Sequence, residues 1–443
     1  MAKKIGFISL GCPKNQVDSE LMLKKLADAG YEIIDTPIGA DAVIINTCGF
    51  IEAAKQESID NIFEMAGYKE DGDVGKIIVV GCMAERYREE ILKEMPEVDA
   101  VAGIGANGDI VSFVDSVFEG KENMLFPEKE KLPLCGERLL TTPSYRAYLK
   151  IADGCSNCCT YCAIPKIRGP QRSRPIESIV EEAKRLASDG VKELTVIAQD
   201  TTRYGDDIYG EPKLDELLKQ LDVIDGIEWI RLLYCYPDRL TDSVLETMRD
   251  SKHVLHYIDL PLQHANGRIL KAMNRRGDSA SLLALIGKIR DYMPDCVIRT
   301  TFMTGFPGED DEAFNELSEF VNAARFDRLG CFAFSPEEGT AAADMPERPE
   351  KEVAEHRGEV IMDQQYKIFC EKQEELIGER VRCIVEDYDG YTDVYSGRTW
   401  RDAPEIDSGI FIISQRELDI GDFVDVEITD TKDYDLIGEV SDR

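Results

Sequence analysis

Short, uninterrupted apolar runs separated by amphipathic stretches set the strongest limit on what this chain can fold into. Residues 4–10, 42–46, 76–80 and 98–102 read as buried strands, while 17–30, 52–66, 84–93 and 109–118 read as helices. Met22, Leu26 and Ala29 recur at the spacing of one helical face. Strands that lack polar alternation are buried on both sides, so the pattern predicts a mostly parallel sheet with helices on both faces. After Glu119 the periodicity fades into a linker that ends near Pro143. A second series then begins, with strands expected at 148–152, 193–198, 229–234, 256–260, 298–303 and 328–334. Helices are expected at 176–188, 213–224, 279–292 and 312–323, and a long polar helix at 349–375, with Gly378 just beyond it as a stop signal. Six such units make a partial TIM-like (β/α)6 barrel, open on one side. Beyond residue 376 the period changes to two: Val424, Val426 and Ile428 alternate with Asp425 and Glu427. With further short strands at 382–386 and 410–414, this predicts a small antiparallel β-barrel or sandwich. The expected fold class is therefore α/β in three domains, 1–140, 141–375 and 376–443.

Cysteine placement narrows the chemistry. Cys155-x3-Cys159-x2-Cys162 follows the first strand of the second series, inside DGCSNCCTYCAIPKIRG. Thiolates are the ligands iron–sulfur clusters take, and a loop can set three of them around one [4Fe–4S] cube. Three ligands leave one iron open to the amino and carboxylate groups of S-adenosylmethionine (SAM), whose reductive cleavage yields a 5′-deoxyadenosyl radical. Cys158 interrupts the motif and is read as a non-ligand, because Cys159 gives the 3-and-2 spacing. A zinc site or ordinary packing is the alternative, although no second Cys-x2–4-Cys pair follows.

Cys12, Cys48 and Cys82 form a second set. Each follows a predicted strand, in ISLGC, IINTC and VVGC, and each precedes a helix. Loops after parallel strands emerge on one edge, so the three thiols are expected to converge there as ligands of an auxiliary cluster. Helix N-termini are expected to favour their thiolates. The alternative is that cysteine is simply a common buried residue. Cys135, Cys235, Cys296, Cys331, Cys370 and Cys383 have no ligand spacing and are assigned to packing.

Other candidates ring the expected barrel mouth. Gln199 and Asp200 end the second strand, and Asp200 either binds a ribose hydroxyl or caps the next turn. Gly305, in FMTGFPGE, either permits close approach to a cofactor or makes a tight turn. Arg168, Arg172 and Arg174 form a basic patch able to grip a carboxylate of SAM or substrate, or to offset the protein's own acidic field. His264, in DLPLQH, faces the site or has a hydrogen-bonded structural role. The run Gly103-Ile-Gly105-Ala-Asn-Gly108 matches a dinucleotide fingerprint formally, but it follows the fourth strand and lacks the acidic end of a following strand.

Composition sets the partners. With 52 basic and 86 acidic residues the net charge is −34, a field that repels a phosphate backbone and suits a basic protein. Residues 376–443 alone carry 7 basic and 18 acidic side chains, net −11. Thirteen cysteines, no apolar run approaching 18 residues and no leader-like start predict a cytoplasmic protein without disulfides or membrane spans.

These motifs together resemble the radical SAM methylthiotransferases over nearly the whole chain. GCPKNQVDSE at 11–20, INTCGF at 45–50, Gly81-Cys82, DGCSNCCTYCAIP at 153–165, AQDTTRYG, DLPLQH and FSPEEGT match that family's motifs. The pattern departs at Ala198, where glycine is usual, and at Cys158, where another residue is commoner. The resemblance implies an N-terminal cluster domain, a radical SAM barrel and a C-terminal TRAM domain that recognises substrate; if that segment presents substrate to the radical, it is expected near the barrel mouth. Cys-Pro-Lys-Asn at 12–15 and Ser-Pro-Glu-Glu-Gly-Thr at 335–340 are similar to the ribosomal branch, whereas the transfer-RNA branch usually has glutamine and methionine after the first cysteine. The implied reaction replaces a β-carbon hydrogen with a methylthio group on one aspartate of small-subunit ribosomal protein twelve. It calls for two [4Fe–4S] clusters, SAM, an electron donor such as flavodoxin or ferredoxin, and a sulfur source. The protein partner would be met free or in ribosome-assembly particles. A transfer-RNA adenosine methylthiotransferase is the alternative, and a non-catalytic cluster-bearing ribosome factor is a third reading.

Overall fold

The computed structural model describes residues 2–441. Strands β1 (Lys4–Ser9), β2 (Glu32–Ile34), β3 (Ala42–Thr47), β4 (Ile77–Gly81), β5 (Ala100–Ala102) and β6 (Met124–Leu125) form one sheet in the order β2-β1-β3-β4-β5-β6. Every neighbouring pair is parallel. All residues of β3 and β4 are buried, as their unalternating apolar sequences require. Val43, Ile45 and Val79 pack with Met65 in one core, while Ile44, Ile78 and Val80 pack with Met22 and Phe113 in the other. Helices therefore cover both faces. The edge strands β2 and β6 are short and partly exposed, so they carried no apolar run to read. The single helix expected at 84–93 divides into Cys82–Tyr87 and Glu89–Glu94 at Arg88, whose φ is +46° and whose guanidinium returns to Glu85 at 3.0 Å.

The central domain contains β7 (Arg146–Lys150), a small antiparallel pair β8 (Ala152–Asp153) and β9 (Arg172–Ser173), then β10 (Glu193–Ile197), β11 (Trp229–Leu232), β12 (Val254–Asp259), β13 (Val297–Thr304) and β14 (Arg328–Ala333). Its six parallel strands keep the order β14-β13-β12-β11-β10-β7, so the sheet is a partial barrel with two free edges. Helices Ile176–Ser188 and Ser279–Tyr292 occupy the residues their periodicity predicts, the second opened by an Asp278 capping box. The long helix Lys351–Glu374 packs Ile361 and Ile368 into the barrel core and closes the β13–β14 edge.

The last domain is a closed barrel of β15 (Arg380–Asp389), β16 (Val394–Thr399), β17 (Ile410–Ile413), β18 (Phe423–Lys432) and β19 (Asp435–Val440), in the order β15-β16-β17-β19-β18. All pairs are antiparallel except β17 with β19. The mouth position expected of a substrate-presenting segment is not the one it takes. Its contacts are with the beginnings of the central strands. Glu193 accepts from Arg398 at 2.6 Å and from Arg231 at 3.0 Å, Arg146 meets Glu405 at 2.6 Å, and Trp229 packs edge-on to Phe423 with ring centroids 4.7 Å apart. Tyr257 donates to Asp407 at 2.6 Å, so the loop between β16 and β17 plugs the barrel from below. The pairs that cross between the two domains join residues 150 or more positions apart, so no local spacing in the sequence displays this interface.

The opposite end belongs to the N-terminal domain. Arg138 bridges Glu20 at 2.9 Å and Glu182 at 2.8 Å. Glu337, after β14, takes Arg86 at 2.9 Å and Lys55 at 3.3 Å. The mouth of the partial barrel is therefore closed by the edge of the first sheet that carries the cysteines.

Candidate active site

Local geometry first brings Cys12, Cys48 and Cys82 together. Cys12 caps helix Pro13–Asp28 after β1, Cys48 follows β3, and Cys82 opens a helix directly after β4. Gly11 has φ +87°, and a Cβ there would lie 2.9 Å from the Cys48 sulfur; no larger residue permits that approach. Gly81, at φ +95°, likewise has the Thr47 carbonyl oxygen 2.6 Å from the place of a Cβ. Burial pushes the Cys82 thiol up to about 12 and raises Cys48, each also feeling the charge of Cys12. At Cys48 and Cys82 desolvation thus outweighs the thiolate preference expected from helix N-termini. Ligation by iron would have to displace those protons.

Cys155, Cys159 and Cys162 lie on the loop after β8. Gly154 has φ +78°, with the Pro170 carbonyl oxygen 2.1 Å from where a Cβ would stand. Barrel residues hold the loop: Asn157 donates to Asp200 at 2.7 Å and accepts from Arg203 at 2.9 Å, and Asn274 donates to the Cys158 carbonyl at 2.9 Å. Arg275 donates to the Pro261 carbonyl at 2.6 Å and reaches to 3.9 Å from the Cys159 sulfur. Burial raises Cys155 to about 11 and Cys162 to about 12, with Cys159 adding to both. Cys158 is different. Its φ is +54° and its thiol is exposed, directed at the Ser156 carbonyl. An open cavity of about 460 Å³ beside this loop is lined by Asn157, Arg203, Tyr236, Arg239 and Arg276.

One buried ion cluster joins the two triads. Arg168 binds Asp153 at 2.8 Å and Asp18 at 2.9 Å, and it donates to the Cys82 sulfur at 3.5 Å. Lys150 pairs with Asp18 and, at 3.1 Å, with Asp153. Two cations face two carboxylates, so the cluster is neutral as a whole. Burial alone would raise the Asp153 carboxyl, but Arg168 and Lys150 hold it well below the usual carboxylate range. Asp153 lies two residues before Cys155 and accepts from Gln199 at 3.2 Å. Gln199 makes that bond through its Nε2, and its single amide oxygen, Oε1, is buried without a partner. That orphan acceptor at the mouth suits a cofactor donor.

Several expected site residues are already engaged. Arg172 donates to the Glu130 carbonyl at 2.6 Å, and Arg174 to the Lys150 carbonyl at 2.7 Å and to Glu182 at 2.6 Å. The basic patch is therefore a set of internal braces, with Arg168 at its centre. Asp200 caps the following turn by accepting from the Thr202 amide at 3.0 Å. Gly305 has φ +73°, and a Cβ there would be 2.2 Å from that of Ala354, so its glycine admits the long C-terminal helix. His264 is wholly buried, with Nε2 3.3 Å from Glu309 and Nδ1 accepting from the Asn266 amide. The glycines at 103–108 form a tight turn, Ile104–Asp109. Residues 127–128 occupy the space before Gly105 that a pyrophosphate would need.

The residues missed in sequence are Lys14, Asp18, Lys150 and Tyr234. Lys14 and Asp18 share the face of a helix that also begins at Cys12, a spacing of four that sequence does display. Burial lowers Lys14 to about 8, opposed by Cys12. Its ammonium stands 3.1 Å above the Tyr234 ring.

Three regions match described families: residues 4–103 the uncharacterized protein family UPF0004, 149–321 the radical SAM superfamily and 377–440 the TRAM domain. Over full length, the chain is 49% identical to the ribosomal protein uS12 methylthiotransferase RimO of Desulforamulus reducens, covering 99% of each chain. The protein of the same name from Geobacter sulfurreducens is 44% identical, over 99% of this chain and 98% of its own. The chain belongs to the RimO family of radical SAM methylthiotransferases. It is accordingly an enzyme, and its central radical SAM domain is of the type that works with an iron–sulfur cluster and SAM. Among solved structures, the radical SAM methyltransferase TsrM from Kitasatospora setae shares the fold, with TM-score 0.59 and 12% identity over 77% of each chain. Among the described residues of this RimO relative, no helix is long and apolar enough to cross a membrane. No three His, Cys, Asp or Glu side chains among them converge on one ion position.

Proposed function

We propose that this enzyme replaces a β-carbon hydrogen of an aspartyl side chain of ribosomal protein uS12 with a methylthio group. It would use one [4Fe–4S] cluster on Cys155, Cys159 and Cys162 and an auxiliary cluster on Cys12, Cys48 and Cys82. The observation that carries the substrate is full-length identity of 44–49% to proteins named for that reaction. The net charge of −34 agrees, since a basic ribosomal protein is drawn to it and a transfer RNA is repelled. Support for two clusters is the shared ion cluster, in which Arg168 touches Cys82 and is salt-bridged to Asp153, two residues before Cys155.

When bound, the clusters and SAM supply the hydrogen-abstracting radical, the methyl group and the sulfur attachment point. The protein's own residues position and exclude. Asp18, Lys150, Asp153 and Arg168 fix the two cysteine loops face to face. Gln199 presents a free amide oxygen to the mouth, and the N-terminal sheet edge keeps bulk water from it. An external electron donor such as flavodoxin or ferredoxin, and a sulfur source, complete the reaction.

The test is one anaerobic reaction containing uS12, bulk transfer RNA, SAM, reductant and sulfide, read by peptide and nucleoside mass spectrometry. The expected product is an aspartyl peptide heavier by about 46 Da, the exchange of H for SCH₃. Methylthioadenosine derivatives without that peptide would assign the enzyme to the transfer-RNA reaction.

A further inference from the structure

A side-chain carboxylate entering this mouth needs a cation that is not already spent. Arg168, Arg172 and Arg174 are all bound to the protein's own oxygens, and Lys150 sits between two aspartates. Lys14 stands apart from them. It is 6% exposed, yet among the described residues no carboxylate oxygen lies within 4.0 Å of its nitrogen and no hydrogen bond from it is formed. Its contact is the face of Tyr234, 3.1 Å away. A cation–π contact offsets only about 2 kcal/mol of the cost of desolvating an ammonium, and it leaves the donors themselves unused.

The ring beneath it is fixed in place. Tyr234 lies two residues beyond β11, at the mouth end of the barrel, with φ +62° in the left-handed region. Its amide donates to Asp259 at 3.0 Å, and its carbonyl accepts from the Thr201 amide at 3.0 Å. Lys14 is in turn anchored at the start of a helix, two residues after Cys12. A rigid ring thus holds an ammonium with open donors between the auxiliary cysteines and the barrel mouth.

We propose that Lys14 receives the carboxylate of the substrate aspartyl side chain and so sets its β-carbon between the two cysteine triads. This rests on the aspartyl reading of the substrate. The carboxylate is one bond from the β-carbon, so fixing it fixes the atom that reacts. The anionic residue thereby enters a strongly acidic protein at a point where a positive charge awaits it.

Equilibrium binding to the unreduced holoenzyme tests this without turnover. Two fluorescent uS12 loop peptides, carrying either the target aspartate or asparagine in its place, are titrated into wild type, Lys14→Met and Lys14→Arg. Wild type is expected to prefer the aspartyl peptide about 10- to 100-fold, the size of a lost charge-assisted hydrogen bond. Lys14→Met should reduce that preference to near unity, and Lys14→Arg should retain most of it. Iron content checks that each variant is assembled; if Lys14→Met fails that check, Lys14→Gln carries the same comparison. An uncharged variant that discriminates like wild type, or a wild type that does not discriminate, overturns the assignment. Failure of wild type to methylthiolate the aspartyl peptide sinks the substrate reading instead, and that is measured separately.

Discussion

The two cysteine triads are built in opposite ways. Cys155, Cys159 and Cys162 lie within eight residues on one loop, which the barrel grips through Asn157, Asn274 and Arg275. Cys12, Cys48 and Cys82 come from three strand ends spread over seventy residues, and only the parallel register of β1, β3 and β4 makes them neighbours. The first triad is a property of a loop, whereas the second is a property of a fold. Local mutations should therefore damage the first selectively, while anything that loosens the sheet edge against the barrel should reach the second.

The largest effect separates the triads by activity. Replacing Cys155, Cys159 and Cys162 together with alanine should remove about half the iron and all SAM cleavage, measured by iron analysis and by release of 5′-deoxyadenosine. The matching replacement of Cys12, Cys48 and Cys82 should remove the other half. Methylthiolation should stop there while SAM cleavage uncoupled from product persists, as mass spectrometry and nucleoside release would record. If both triple variants lost SAM cleavage, the two sites would not be separable.

Arg168 is the common brace, so its loss should strike both regions at once. Arg168→Met leaves Asp18 and Asp153 sharing Lys150 alone, and denaturant unfolding should show a loss of about 3–5 kcal/mol. The far end of the barrel should answer to pH rather than to iron. Arg398 and Arg231 hold the buried Glu193 carboxyl at about 2, overcoming the upward push of burial. Because the folded value is below the unfolded one, this three-residue cluster stabilises fully above about pH 4.5, and its contribution, about 3 kcal/mol, disappears as pH falls towards 2. Acid unfolding of wild type should be steeper than that of Glu193→Gln over this window. The smallest effect belongs to Cys158→Ala: its thiol is exposed and turned away, so iron content should hold and stability should change by under about 0.5 kcal/mol.

The same contrast explains what could be read from the sequence. The six central strands, the helices Ile176–Ser188 and Ser279–Tyr292 and the local triad follow from apolar runs, periodicity and spacing. The spread triad was legible because each cysteine ends a strand, a positional regularity that survives long separation. Pairing was not legible. Arg168 gives no sign in sequence that it is committed to Asp18, 150 residues away, or Glu193 that it meets Arg398. The docking of the last barrel on the strand beginnings was missed for that reason, as was the split at Arg88, whose left-handed backbone no helix-breaking residue announces.

The central claim is that this protein carries two separate clusters. Quantitative iron analysis with electron paramagnetic resonance on the anaerobically reconstituted wild type and both triple-alanine variants tests it most directly. About eight irons per wild-type chain and about four in each variant, with different spectra, is the predicted result. A wild type that saturates at four irons, with the variant lacking Cys12, Cys48 and Cys82 unchanged from it, would contradict it.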